Sequence, residues 1–453
     1  MDWLTRYGAV TSSKKLNVYW ISTSSQHICG MPALSGTHLL NVKYPSLFIL
    51  PQISLLTGGT LTTIGIAAYA SISKLPPVRI LRRAGMVLLT LLVVQEFRLE
   101  MKLIEDFTPY TGGKLFRDAI HFLHAQSKQE IAPCFQLFHG FGASSLSFLP
   151  VINHFNSSAH IVAADLVGFG FNRRAKVSEF SQVAFSPRWN AALSNDIVEK
   201  SNVSYRHSLI VGHSMGAIPA IIASVLKLSA TSHINISLIL EAPALKLEPS
   251  SHSLLTKHVV RKVVDHTIAD YNYESPFRSQ LLSNLAGVLL LPLQIIREIV
   301  FLSLRLLIRR LVFLDSFWSK GLNSVFYDPQ RNKIPGPSGY KLPRMAKGFD
   351  RQFLNFVLSP ARYRYTNQYV ANDFGALDLL KALLAEGVRI FIVHGKNDKV
   401  VPLSASRNLI SELPGVELHE VFECGHIPHE EKPEVFNAIL ESIISRRGEN
   451  IIH

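Results

Sequence analysis

The feature that most constrains this chain is Gly212-His213-Ser214-Met215-Gly216, set between the apolar run Leu209-Ile210-Val211 and the helix-forming run Ala217 to Ala223. A strand, a Gly-x-Ser-x-Gly turn and a helix make a nucleophile elbow, in which the serine oxygen stands exposed above a sheet. The glycines are required because the backbone doubles back so tightly that flanking side chains would strike it. Such a turn demands a strand before it and a helix after it. Alone the pentapeptide is weak evidence, since about one chain in ten of this length holds one by chance, and its context carries the α/β reading.

Three further segments fall in a compatible order. Cys134 to Phe138 reads as a buried strand and runs into the glycine-rich loop His139-Gly140-Phe141-Gly142-Ala143, suited to turning a backbone N–H toward an oxyanion. Val388 to Val393 reads as a strand ending in His394-Gly395-Lys396-Asn397-Asp398, which places a carboxylate just past a strand end. Val416 to Phe422 alternates like a half-buried strand and delivers Gly425-His426. The order serine, acid, histidine separates this chain from the chymotrypsin and subtilisin arrangements of the same residue types.

These motifs, with Asp165-Leu166-Val167-Gly168-Phe169-Gly170, resemble the α/β-hydrolase family over residues of about 130 to 245 and 376 to 446. More narrowly, they resemble its membrane-anchored serine hydrolases of the monoacylglycerol lipase and esterase type. The resemblance implies a mostly parallel twisted sheet with helices on both faces and a helical lid above it. It implies Ser214 as nucleophile, His426 as base and then acid, and Asp398 as the group orienting the imidazole. It also implies an oxyanion hole from the backbone N–H groups of Phe141 and Met215, and an acyl pocket bordered by Gly140, Phe141 and Gly142. A serine hydroxyl needs such a base, because at neutral pH it is hardly nucleophilic alone.

The residues leave some roles open. Asp373 or an acid after the earlier strand competes with Asp398 as the acid, and His429, three residues beyond His426, competes as the base; the expected place for His429 is the pocket rim or the surface. Asp165, His139 and His394 read as structural residues at strand ends. Epoxide hydrolases and haloalkane dehalogenases place an aspartate where this chain has Ser214. No Cys/His cluster has metal-ligand spacing, and Gly168-Phe169-Gly170 lacks the pattern of a phosphate-binding loop, so neither metal nor cofactor is expected.

The chain has 453 residues, 47% hydrophobic and 17% charged, with a net charge of +13. Its basic residues are scattered among apolar runs with no nucleic-acid motif beside them, which favours an anionic membrane over DNA or RNA as partner. No specific protein partner is readable. Cys29, Cys134 and Cys424 are too far apart to suggest a disulfide framework.

Tyr44 to Ser73 contains no charged residue and is long enough, at about 20 residues per crossing, for a transmembrane helix. The expected organisation is a tail or targeting segment (1–44), a membrane helix (45–73), a linker (74–128), a first core segment (129–245), a lid insertion (246–375) and a second core segment (376–453). Lys74, Arg79, Arg82 and Arg83 after the apolar run point to a single pass with the catalytic region cytosolic. The Ser- and Thr-rich, acid-poor start equally suits a plastid or mitochondrial address. In the lid, Arg305, Arg309 and Arg310 interleave with apolar residues, and the expectation is that they reach anionic lipid, against the alternative that the lid helices bury their apolar faces on the core.

Overall fold

The computed structural model describes residues 17–22, 28–30, 119–129, 131–172, 185–230, 233–245, 256–271, 291–328, 340–345, 348–358 and 375–446. The apolar run from Tyr44 to Ser73 and the candidate acid Asp373 lie outside them. Among the described residues no helix is long and apolar enough to cross a membrane.

The strands are β1 (Asn17–Ser22), β2 (Ile28–Gly30), β3 (Ala119–Ala125), β4 (Cys134–Phe138), β5 (His160–Ala164), β6 (His207–His213), β7 (Asn235–Glu241), β8 (Arg389–Gly395) and β9 (Glu417–Val421). They form one sheet in the order β2-β1-β3-β5-β4-β6-β7-β8-β9. From β5 to β9 every pairing is parallel, and β1, β2 and β3 add antiparallel pairings at one edge. The sheet therefore reaches upstream of residue 129. β3 is hard to read from sequence because His121 and His124 interrupt its apolar run, yet both are buried.

Helices cover both faces, as parallel strands buried on two sides require. In β6, Ile210 points to one layer, with α2 (Pro187–Lys200), α3 (Ala217–Ala230) and α8 (Ala376–Ala385); Leu209 and Val211 point to the other, with α1 (Leu149–Phe155) and α9 (Pro433–Ser445). β8 repeats this alternation with Ile390 and Ile392 against Phe391 and Val393. α2 starts where its sequence says it should: Ser186 accepts the Trp189 N–H at 3.1 Å, and Pro187 occupies the first turn.

Chain order sets the site. After β4 the chain moves to β5 on one side, then returns to β6 on the other, so the carboxyl ends of β4 and β6 flank a topological switch point, where ligands bind in open α/β sheets. Ser214 follows β6 and the glycine-rich loop follows β4.

Between β7 and β8 lie α4 (Thr256–Tyr271), α5 (Leu291–Phe313), α6 (Asp315–Val325) and α7 (Phe349–Leu358), with α8 leading back into the sheet. Here the expectation for the lid arginines needs correction. Arg305 Nε and Arg309 Nη2 turn inward to one buried carboxylate, Asp350, at 2.6 and 3.2 Å, and Arg309 is 2% exposed. Two guanidiniums and one buried carboxylate satisfy each other better there than lipid could at a distance. Only Arg310 of the three is exposed.

Candidate active site

Ser214 has φ of +52°, in the left-handed region that a non-glycine residue occupies only when its surroundings hold it there. The glycines beside it explain how. A Cβ on Gly212 would sit 2.6 Å from the Ala220 Cβ, and one on Gly216 would overlap the Phe138 carbonyl oxygen. The elbow thus packs backbone against backbone, and only glycine fits at either shoulder.

Three side chains meet at this turn. His426 Nε2 lies 2.9 Å from Ser214 Oγ, and His426 Nδ1 lies 2.7 Å from Asp398 Oδ2. A carboxylate can only accept, so Nδ1 carries the proton and Nε2 offers its lone pair to the serine hydroxyl. This is the tautomer a general base needs. Asp398 Oδ1 accepts the N–H groups of Val400 and Val401 at 2.7 and 3.0 Å. Burial alone would raise the Asp398 pKa, but hydrogen bonds from His394 and His426 outweigh it and hold the carboxyl well below its usual range.

His394 is a partner that sequence reasoning gave only a general structural role. Its Nε2 faces Asp398 Oδ2 at 3.1 Å and the Val401 carbonyl at 2.9 Å, so Nε2 carries the proton, and Nδ1 accepts the Ser406 hydroxyl at 2.7 Å. The four-residue spacing His394 to Asp398 was the available signal. His213 is a second such residue: its Nε2–H donates to the carbonyl of His426 at 3.0 Å, fixing the backbone that carries the base. Burial pushes the His213 pKa well below its ordinary value, so it stays neutral.

His429 is not at the rim. It is fully buried, and its Nδ1–H and backbone N–H both donate to Glu241, at 2.7 and 2.8 Å, while Ser147 Oγ lies 3.1 Å from its Nε2. Serine, histidine and glutamate thus form a second chain like the first, closed to solvent: Ser147 is 2% exposed and Glu241 0%. Its partners are spent on packing the loop that holds His426, with the His429 ring stacked on Phe148. The signal in sequence was Glu241, a charge ending an apolar strand.

Asp165 and His139 are structural, as read. Asp165 pairs with His121 at 2.8 Å and accepts the N–H groups of Ser145 and Phe171. His139 Nε2 accepts the Leu166 N–H at 2.9 Å, so its Nδ1–H donates to the Gly140 carbonyl at 2.8 Å, tying the glycine-rich loop to the loop after β5.

Above Ser214 is a cavity of about 390 Å³ lined by apolar side chains from core and lid, within the range of small-molecule sites. Phe141 forms one wall, its ring 5.4 Å from Phe169 and 5.7 Å from Phe353 of α7. Gly142 also lines the cavity, and Met215 stands beside Ser214 at the turn into α3. Gly140 does not line it: it is buried against the His213 ring, where a Cβ would come within 2.7 Å of Nδ1.

The lid is bonded directly to the loop of the base. The His426 N–H donates to the Val325 carbonyl at the end of α6 at 2.7 Å, and the Asp328 N–H donates to Glu431 Oε1 at 2.9 Å. The Tyr340 hydroxyl donates to Glu430 Oε1 at 2.7 Å. Glu430 is buried, and burial raises its pKa well above the ordinary carboxyl value. Among the described residues no group of three or more His, Cys, Asp or Glu is placed to hold a metal.

Short segments match a 2-hydroxymuconate semialdehyde hydrolase of Pseudomonas putida, 33% identical over 54 residues, and a 2-hydroxy-6-oxononadienedioate/2-hydroxy-6-oxononatrienedioate hydrolase of Escherichia coli, 38% identical over 55 residues. Each match covers 12% of this chain, and the chain spans about a fifth (19%) of the length of these curated relatives. Among solved structures, a bacterial membrane phospholipase A is similar at a TM-score of 0.45 and 18% identity, over 81% of this chain and 98% of that one. A meta-cleavage product hydrolase of Pseudomonas fluorescens is similar at a TM-score of 0.45 and 17% identity, over 73% and 95%. The model of the alpha/beta hydrolase family matches residues 137–439, more than half of the chain, which therefore belongs to that family.

Proposed function

We propose that this protein is a membrane-associated serine hydrolase that cleaves carboxylic esters of long-chain, monoacylglycerol-like lipids through an acyl-enzyme at Ser214. The observation that carries the proposal is the hydrogen-bonded run Ser214–His426–Asp398 on the floor of an apolar cavity.

In the proposed reaction His426 Nε2 takes the Ser214 proton as Oγ attacks the ester carbon, and the N–H groups of Phe141 and Met215 receive the developing oxyanion. The imidazolium, steadied by Asp398, then protonates the leaving alcohol as the ester C–O bond breaks. Water, deprotonated by the same histidine, attacks the acyl-enzyme, releasing the acid and restoring Ser214. No cofactor enters these steps. The uncharged run Tyr44 to Ser73 is the proposed anchor, in a single pass with the catalytic region cytosolic.

A second reading has a specific observation behind it. Arg344 stands in the cavity wall, a cation suited to a carboxylate-bearing substrate of the kind named for the curated relatives. Turnover of a monoacylglycerol, a short ester and a 2-hydroxy-6-oxodienoate should be measured side by side, with Ser214→Ala as control. The proposal expects the monoacylglycerol to have the highest kcat/KM. Preference for the dienoate would replace it, and equal rates in wild type and Ser214→Ala would sink both.

A further inference from the structure

Helix α5 turns two of its charges inward and a row of apolar side chains outward. On a water-facing helix the charged residues point outward and the apolar ones inward. Here Arg305 and Arg309 point inward to Asp350. The outward face carries Val300, Ser303, Leu307, Arg310 and Leu311, spaced three, four and seven residues apart as one stripe demands, and Leu314, just past the end of the helix, continues it. Val300, Leu307, Leu311, Leu314 and the neighbouring Phe317 of α6 are between 38% and 55% exposed. Single exposed leucines are ordinary, whereas a connected stripe of them marks a contact surface.

We propose that this stripe is a lipid-docking face, which lays the lid on the bilayer and opens the cavity directly to the acyl layer. The inference rests on the lipid-ester reading above. Two observations choose lipid over protein as the occupant. Leu311 and Phe317 belong both to the outer stripe and to the cavity lining, so the stripe runs up to the cavity wall. A fluid acyl layer against that wall can deliver substrate toward Ser214, whereas a second copy or another protein seated there would only cover it. Arg310, exposed within the stripe, fits the phosphate level of a bilayer, where long cationic side chains extend.

The test uses the full-length chain in vesicles of phosphatidylcholine and phosphatidylglycerol, so that anchoring by Tyr44 to Ser73 is common to all samples. An environment-sensitive NBD label is attached at Leu307→Cys in a Cys29→Ser background, with Glu412→Cys as the control position. The expected result is blue-shifted emission at 307, quenched by brominated lipid, with neither effect at 412. A label at 307 that behaves like the one at 412 overturns the proposal. So does a blue shift without bromine quenching, because the face is then covered by protein.

A second arm compares wild type with the combined Val300→Glu, Leu307→Glu, Leu314→Glu variant, whose sites lie outside the cavity lining. Its rate on a water-soluble butyrate ester should be retained, while its rate on vesicle-embedded monoacylglycerol should fall about tenfold or more, given what immersing even one leucine contributes. Equal loss on both substrates, or on neither, counts against docking. The two readings fail separately. If wild type does not hydrolyse the butyrate ester but quenching at 307 persists, the face stands and the hydrolase assignment falls.

Discussion

Replacing Asp398 by Asn should disable the site through a tautomer change that can be read atom by atom. Oδ1 of Asp398 accepts two backbone N–H groups, from Val400 and Val401, so the carbonyl oxygen of an asparagine would take that position. Its NH2 group would then occupy the Oδ2 position, facing His426 Nδ1 at the present 2.7 Å. A donor there compels Nδ1 to accept, moving the imidazole proton to Nε2. Nε2 would then face Ser214 with an N–H and could not take its proton. The equivalent loss in serine hydrolases with this arrangement is about 10⁴ in kcat, or about 5.5 kcal/mol of barrier. The assay is steady-state turnover of a medium-chain ester, with fluorophosphonate labelling rate as a second readout. kcat and labelling should fall together while KM changes little. A kcat within tenfold of wild type would refute the reasoning and reopen Asp373 as the acid.

Three further outcomes are expected. Removing the shared carboxylate with Asp350→Ala should lower stability by about 3–5 kcal/mol, measured by urea melts, because it takes the counter-ion from a buried Arg309. Asp350 is held below its usual pKa because Arg309 and Arg305 outweigh its burial, so the stability it supplies is present above its unfolded value and is lost as pH falls through the folded one. Glu430 has the opposite sign. Its pKa is raised in the fold, so wild-type stability should fall as pH rises above about 4.3, the unfolded value. Glu430→Gln should lack that fall, so melts at pH 5 and pH 8 should show the variant gaining on wild type, and a constant difference would contradict the assignment. Glu241→Ala should destabilise by about 2–5 kcal/mol by leaving two buried donors of His429 unpaired. Glu241→Gln should cost much less, because one amide oxygen still accepts the His429 N–H and the ring can change tautomer.

The parts of the site legible in sequence are those made by short-range signals. The elbow, the glycine-rich loop and the carboxylate after β8 each follow an apolar run, as parallel strands buried on two faces require, and the histidine follows β9, whose alternation marks a half-buried strand. β3 was not legible, because His121 and His124 break its pattern and are accommodated only once the sheet closes over them. Burial and pairing across long separations were equally hidden. Nothing near His429 announces that Glu241 awaits it 188 residues away, so an interior histidine passed for one at the rim. The lid arginines show the same limit. Interleaved Arg and Leu define a two-faced helix without saying which face is inward, and Asp350, supplied by another helix, decides it. His394 and His213 adjoin recognised motifs, but their hydrogen bonds to Asp398 and to the His426 carbonyl depend on backbone geometry that spacing alone does not contain.

The nucleophile itself is open to the most direct measurement. Full-length protein should be treated with a fluorophosphonate, digested, and the modified peptide sequenced by mass spectrometry, with Ser214→Ala in parallel. A single phosphonylated serine at Ser214, absent from the variant although the variant still folds, is the expected result. A protein that takes no label, or one labelled at another serine and unaffected by Ser214→Ala, would contradict the assignment of Ser214, His426 and Asp398 as the catalytic set.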